Sequence, residues 1–241
     1  MHEDACGFHK TLFVGNNVGK ILHFKNTGSV TNPTFVEQTG TDNPFNGVEV
    51  GYEVAPTFVD VDSDGDMDAF VGNIYGTILH FKNTGSVTNP TFVEQTGTDN
   101  PFNGVDVVMN AAPTFVDVDS DGDMDAFVGN EDGNILHFKN TGSVTNPTFV
   151  EQTGTDNPFN GVDVGNNAAP TFVDMDSDGD MDAFVGNRDG KILHFKNTGS
   201  VTNPTFVEQT GTDNPFNGVD VVMNAAPTFV DVDSDGDMDA F

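Results

Sequence analysis

The sequence predicts an all-β chain, a four-bladed β-propeller of near-identical 57-residue repeats, and three observations predict it. Residues 14–70, 71–127, 128–184 and 185–241 align as four units of 57, identical in all four copies at 48 positions. Each unit holds four short strand-like runs separated by Gly, Pro, Asn and Asp turn signals. No 3.6-residue periodicity occurs, so helices are not expected. Repeats of this kind share one continuous core with their neighbours. Residues 14–241 are therefore read as one propeller domain, with residues 1–13 a tail leading into the first strand. Such near-identity means very recent amplification or deliberate construction, because selection against misassembly between neighbours usually lets repeats diverge.

The elements follow in order. Residues 69–73, Ala-Phe-Val-Gly-Asn, read as a second strand bounded by Gly72 and the turn former Asn73. Residues 78–82 alternate, with Leu79 and Phe81 on one face and Ile78, His80 and Lys82 on the other. Residues 91–95 follow a Thr-Gly-Ser…Asn-Pro turn cluster and form the fourth strand. Residues 113–118 run into the next acidic loop as an inner strand. Phe24, Phe35, Phe45, Phe58 and Phe70 recur in every unit and are read as inter-blade core. The first blade begins at Leu12-Phe13-Val14-Gly15 and lacks an inner strand, which residues 227–232 are expected to supply. Pairing of the N- and C-terminal strands would close the ring and leave no free edge. The main rival is a larger ring made by several chains.

Composition excludes several partners. The chain has 38 acidic and 8 basic residues, a formal charge of −30. Nucleic-acid binding needs Lys/Arg patches that displace counterions, and binding to an anionic membrane is disfavoured on the same ground. No apolar run reaches the ~18 residues of a membrane span. The single cysteine, Cys6, permits no internal disulfide, and the first residues lack the basic and apolar regions of a signal peptide.

Charge is concentrated in one motif. Asp60-Val-Asp62-Ser-Asp64-Gly65-Asp66-Met-Asp68 recurs from Asp117, Asp174 and Asp231. Carboxylates at alternate positions around a glycine turn are what a hard, oxygen-ligated cation such as Ca²⁺ requires. Without a cation, five clustered carboxylates repel each other. The helix–loop–helix calcium hand shares this opening but needs Glu at position twelve, where Val71 stands here.

Loops of the form Asp-x-Asp-x-Asp-Gly-x-x-Asp resemble those of FG-GAP repeats, also called VCBS repeats, found in integrin α-subunit propellers and many secreted bacterial proteins. The resemblance covers all four units and is closest over residues 115–130. It implies a propeller with about one calcium per repeat between first and second strands, and an extracellular, secreted location. Integrin rings usually have seven blades, and four is a departure. The expected ligands are Asp60, Asp62, Asp64 and Asp68 by side chain, with the backbone carbonyl of Asp66. The same assignment covers Asp117, Asp119, Asp121, Asp123 and Asp125; Asp174, Asp176, Asp178, Asp180 and Asp182; and Asp231, Asp233, Asp235, Asp237 and Asp239.

Nine positions vary between copies. Three lie in the hairpin of residues 17–20 and its counterparts, five in residues 49–54 and theirs, and the ninth is Val61 against Met175. Alternating strand direction puts both variable stretches on the face opposite the acidic loops. Tyr52 and Tyr75, the only tyrosines, fall in these stretches and in one blade, and are candidates for stacking on a sugar or peptide. The tolerance of tight turns to substitution is the plainer account. His23, His80, His137 and His194 form a fourfold set read as packed or surface residues; His2, Cys6 and His9 are read as a loose tail.

No nucleophile–base pair, phosphate loop or spare carboxylate dyad points to an enzyme. The best reading is a calcium-binding, non-enzymatic recognition or adhesion module with a glycan or protein ligand on the face opposite the calcium loops. It would act as a monomer or a ring-completing homo-oligomer. The alternative is a designed or recently amplified scaffold whose only activity is calcium binding.

Overall fold

The computed structural model describes residues 11–29, 32–231 and 236–241. Strands β1 (Thr11–Gly15), β2 (Ile21–Asn26) and β3 (Phe35–Gln38) form a three-stranded antiparallel sheet. Three complete four-stranded blades follow. The first holds β4 (Ala55–Val59), β5 (Asp68–Gly72), β6 (Ile78–Asn83) and β7 (Phe92–Gln95). The second holds β8 (Ala112–Val116), β9 (Asp125–Gly129), β10 (Ile135–Asn140) and β11 (Phe149–Gln152). The third holds β12 (Ala169–Val173), β13 (Asp182–Gly186), β14 (Ile192–Asn197) and β15 (Phe206–Gln209). A hairpin of β16 (Phe229–Val230) and β17 (Asp239–Ala240) comes last. The four near-identical repeats thus make an all-β propeller arrangement, with strands within two residues of those read from the sequence.

Single 3-10 turns at Gly40–Asp42, Gly97–Asp99, Gly154–Asp156 and Gly211–Asp213 are the helical residues among those described. Three residues carry no periodicity to detect, and each turn starts from a glycine near φ 60.

The pleat explains the core. In β9, Ala126 and Val128 pack towards the preceding blade while Phe127 packs towards the following one. Both faces of each complete blade are therefore covered, and β5, β9 and β13 are buried along their whole length. Phe102 plugs the gap between blades, edge-on to Phe70 at 5.8 Å and Phe138 at 5.6 Å, and stacked on Phe149 at 4.8 Å. Gly72 and Gly129 sit where a Cβ would collide with the carbonyls of Ala111 and Ala168, so second strand and next inner strand meet backbone to backbone. Of the five recurrent phenylalanines, Phe45 and Phe70 are fully buried, whereas Phe24 is half-buried and Phe35 exposed. Phe45 covers their counterparts Phe81 and Phe92. No sheet precedes β1–β3 among the described residues to do the same.

Closure is corrected. Among the described residues, β1 pairs with β2 alone, and β16 pairs with β17 rather than with β1. Residues 239–241 copy the start of a second strand and occupy the edge of β16 that residues 11–13 were expected to take. The Thr228 and Phe241 backbones exchange hydrogen bonds at 3.0 and 3.1 Å. Closing a hairpin across one short loop costs less chain entropy than recruiting a strand more than two hundred residues away. Leu12 and Val14 accordingly stay exposed.

Candidate metal centre

Each acidic loop joins an inner strand to a second strand. The first described loop leaves β4 at Val59 and enters β5 at Asp68. Its coil needs two left-handed residues, Ser63 at φ 53 and Gly65 at φ 93, and the next two loops repeat this at Ser120, Gly122, Ser177 and Gly179. Asp60 Oδ2 accepts from the Gly65 N–H at 3.2 Å, and Asp64 Oδ1 accepts from the Asp66 N–H at 3.2 Å. Asp117 and Asp174 each accept from two such N–H groups at 3.0–3.1 Å. Asp231 Oδ2 likewise accepts from the Gly236 N–H at 3.1 Å. Asp233 and Asp235 lie outside the described residues, as do His2, Cys6 and His9.

These turns bring three carboxylates together. One oxygen each from Asp60, Asp62 and Asp64 lie within 4.8 Å of one another, as do those of Asp117, Asp119 and Asp121 and of Asp174, Asp176 and Asp178. Buried oxygens of Asp60, Asp62, Asp66, Asp119, Asp123, Asp125 and Asp180 have no hydrogen-bond partner. Oxygens so placed fit a hard divalent cation, since an unsatisfied buried carboxylate is costly. Burial first, then neighbouring aspartates, raises Asp66 above the ordinary carboxylate range and pushes Asp123 up to about 6. Burial also raises Asp60 and Asp117, against the N–H bonds each accepts.

In the loops that begin at Asp60, Asp117 and Asp174, the last aspartate is not among the three whose oxygens converge. Asp68 is buried, and its Oδ1 accepts the Asn83 N–H at 2.7 Å. Asp125 and Asp182 do the same with Asn140 and Asn197. His80 Nε2 is 3.5 Å from Asp68 Oδ2, while its ring stacks on Phe70 at 4.4 Å. The fourfold histidines are thus packed residues, and three of them face a loop carboxylate.

Lysines complete the site, and sequence reasoning missed them. Lys82 Nζ bonds Asp62 and lies 3.6 Å from Asp64; Lys139 bonds Asp119 and lies 3.3 Å from Asp121; Lys196 bonds Asp176 and lies 3.7 Å from Asp178. Hydrogen bonding to these aspartates holds all three ammonium groups above the usual lysine range. The available signal was register: Phe81 faces Ala69, which brings Lys82 across from Asp68 at the loop exit.

On the opposite face the variable stretches meet. The Ile74 N–H donates to the Tyr52 carbonyl at 2.9 Å, and Asn73 Nδ2 donates to the Val50 carbonyl at 2.9 Å. The Tyr52 and Tyr75 rings lie edge to face, centroids 6.5 Å apart, and both are exposed. Asparagines bridge adjacent repeats, Asn110 to Asn167 at 3.0 Å and Asn167 to Asn224 at 3.3 Å.

Sheets repeating around shared phenylalanine seams, the complete blades each carrying an Asp-rich loop between first and second strands, define a repeat propeller with acidic loops. The FG-GAP-like repeat family matches residues 60–128, 117–185 and 174–241, and the chain belongs to that family. No curated protein matches it. Among solved structures, it is similar to an Agrocybe aegerita lectin described for specific recognition of non-reducing terminal N-acetylglucosamine. The TM-score is 0.52 at 19% identity, over 98% of this chain and 58% of that one, a likeness of fold alone. Among the described residues, no helix is long and apolar enough to cross a membrane.

Proposed function

We propose that the protein is a calcium-binding recognition module. The partnerless buried carboxylate oxygens of the loops are the observation that carries the calcium part. The ligand groups would be Asp60, Asp62, Asp64, Asp66 and Asp68, with their counterparts at 117–125, 174–182 and 231–239, one ion per repeat. Calcium would supply the positive charge each loop lacks and stabilise the fold through linkage. The domain would span residues 14–241 and act outside the cell, where calcium is at the ~10⁻⁴–10⁻³ M that extracellular modules typically need.

Recognition would use the opposite face, through the exposed Tyr52–Tyr75 pair and the variable stretches around it, with a glycan or protein as ligand and no chemistry performed. The lectin relative supports a glycan by fold analogy only. Near-identity of the repeats favours a second reading, a designed or freshly amplified scaffold that binds calcium alone. Calorimetric titration with calcium, melting in EGTA, and a glycan array and protein pull-down run with and without calcium test both. Calcium heat with ligand capture that Tyr52→Ala and Tyr75→Ala abolish supports the module. Calcium heat with silence in both assays leaves the scaffold. No heat and no EGTA effect on melting removes the calcium reading.

A further inference from the structure

We infer that Lys82, Lys139 and Lys196 hold the cation positions of their loops before calcium arrives, so that ion binding is an exchange of one cation for another. This rests on the calcium reading above. Each ammonium sits against the second and third aspartates of its loop, members of the same triads whose oxygens converge within 4.8 Å. The set is independent of the triad alone. Oδ1 of Asp62 and of Asp119 stay buried without a hydrogen-bond partner even with Lys82 and Lys139 on the Oδ2 atoms of the same side chains. One ammonium therefore satisfies only part of a site with more oxygens to offer.

Two cations compete for those carboxylates. A lysine brings one charge and three donors, whereas Ca²⁺ takes about six to eight oxygens. Lys82 holds Oδ2 of Asp62, whose Oδ1 is the partnerless atom, so an ion on the same carboxylates would stand beside the ammonium, and the two charges repel at that separation. The lysine must leave, and it has an exit. The side chains of Lys82, Lys139 and Lys196 are 37%, 34% and 36% exposed, so the amine can swing into water while the stem stays on the blade. Two effects follow. The tethered amine orders the loops without calcium, and it lowers their apparent affinity for it. Lys25 is the built-in control: it occupies the same position in β2 but is exposed, and Thr11 stands where the other repeats have the exit aspartate.

The test uses the full chain. Limited acetylation with acetic anhydride, in EGTA and in calcium, is read by mass spectrometry. Lys82, Lys139 and Lys196 should be acetylated more slowly than Lys25 in EGTA and should match it in calcium. Calorimetry on the triple variant Lys82→Met, Lys139→Met, Lys196→Met should show calcium binding about fivefold tighter, the worth of one ion pair. Lys25→Met should change nothing. Amines that stay protected in calcium, amines as reactive as Lys25 in EGTA, or unchanged or weaker calcium binding by the triple variant would each overturn the exchange. The acetylation arm needs no substitution, so poor folding of the variant does not spare the idea. Wild-type protein that binds no calcium by heat or melting would sink the calcium reading and this inference with it.

Discussion

The Asp68 carboxylate accepts the Asn83 N–H at 2.7 Å, tying the exit of an acidic loop to the end of the third strand of the same blade. Asp125 and Asp182 repeat the tie with Asn140 and Asn197. Each of these aspartates therefore has a fold role beside any role in holding metal. Removing the acceptor leaves a buried N–H unpaired, at a cost of about 1–3 kcal/mol. Asp125→Ala should lower stability by about that amount in EGTA, where no calcium contributes. Asp125→Asn keeps an acceptor oxygen; it should lose much less in EGTA yet weaken calcium binding. Urea unfolding with and without calcium reads both. Equal losses for Ala and Asn in EGTA would show that the tie contributes nothing.

Phe102 and Phe35 give a second contrast. Phe102 is 2% exposed and touches rings of two blades, whereas Phe35, one of the recurrent phenylalanines, is 47% exposed. Phe102→Ala should cost about 3–5 kcal/mol, as for a buried phenylalanine. Phe35→Ala should stay within about 0.5 kcal/mol, as for a surface position. Its counterpart Phe149 stacks on Phe102, so Phe149→Ala should fall between. Chemical denaturation of the three variants checks the order, and a Phe35 loss as large as that of Phe102 would mean that another surface covers β3 in solution.

Acidity supplies a third prediction. In the metal-free protein Asp60, Asp66 and Asp117 are raised, and Asp123 reaches about 6, burial being the first cause throughout. A carboxyl raised on folding binds more protons in the native than in the unfolded chain. Its stabilising effect is therefore present at low pH and lost as pH climbs from about 4 through the folded value. Asp121, lowered by the Asp123 N–H and Lys139 against its burial, acts oppositely and only below that window. Burial lowers His23, which acts in the opposite sense within this range, so it is in a His23→Gln variant that melting in EGTA should occur at a higher temperature at pH 5.5 than at pH 7.5. With calcium the trend should flatten or reverse, because the ligands must be ionised. In that variant a higher EGTA melting temperature at pH 7.5 would contradict the shifts.

Much of this architecture was legible from short-range pattern. Gly72 and Asn73 ended a strand where the turn chemistry said they would, and the Asp60–Asp68 run declared a turn that gathers carboxylates because its spacing is local. What stayed hidden depended on competition or distance. Residues 239–241 and 11–13 are alternative partners for one edge of β16, and sequence alone does not rank them. Lys82 reaches Asp62 across twenty residues through strand register, and strand alternation placed it merely on the face of His80. The fold role of Asp68 stayed hidden because its Asn83 partner lies on another strand. Phe35 read as core because its copies are, and only the missing neighbour distinguishes it.

Backbone strain on the variable face yields the last prediction. Val108 and Val222 hold φ at 86 and 79, where the counterpart positions are Gly51 and Gly165 at 96 and 84. A non-glycine residue held in such a region costs about 1–3 kcal/mol, and a β-branched side chain suits it worst. Glycine removes that strain while costing ~0.5–1 kcal/mol in chain entropy. Val108→Gly and Val222→Gly should therefore each raise stability by about 1 kcal/mol, seen as a higher urea midpoint with an unchanged slope. The reverse change, Gly51→Val, should lower it, since a Cβ there would stand 3.1 Å from Asn73 Nδ2. Both valines are exposed, so burial does not explain their presence, and they share a face with Tyr52 and Tyr75. If the glycine variants gain stability and lose ligand capture, the strain serves recognition. If they gain stability and keep capture, the valines are remnants of repeat copying. No gain in stability would mean that the backbone at these two positions is relaxed.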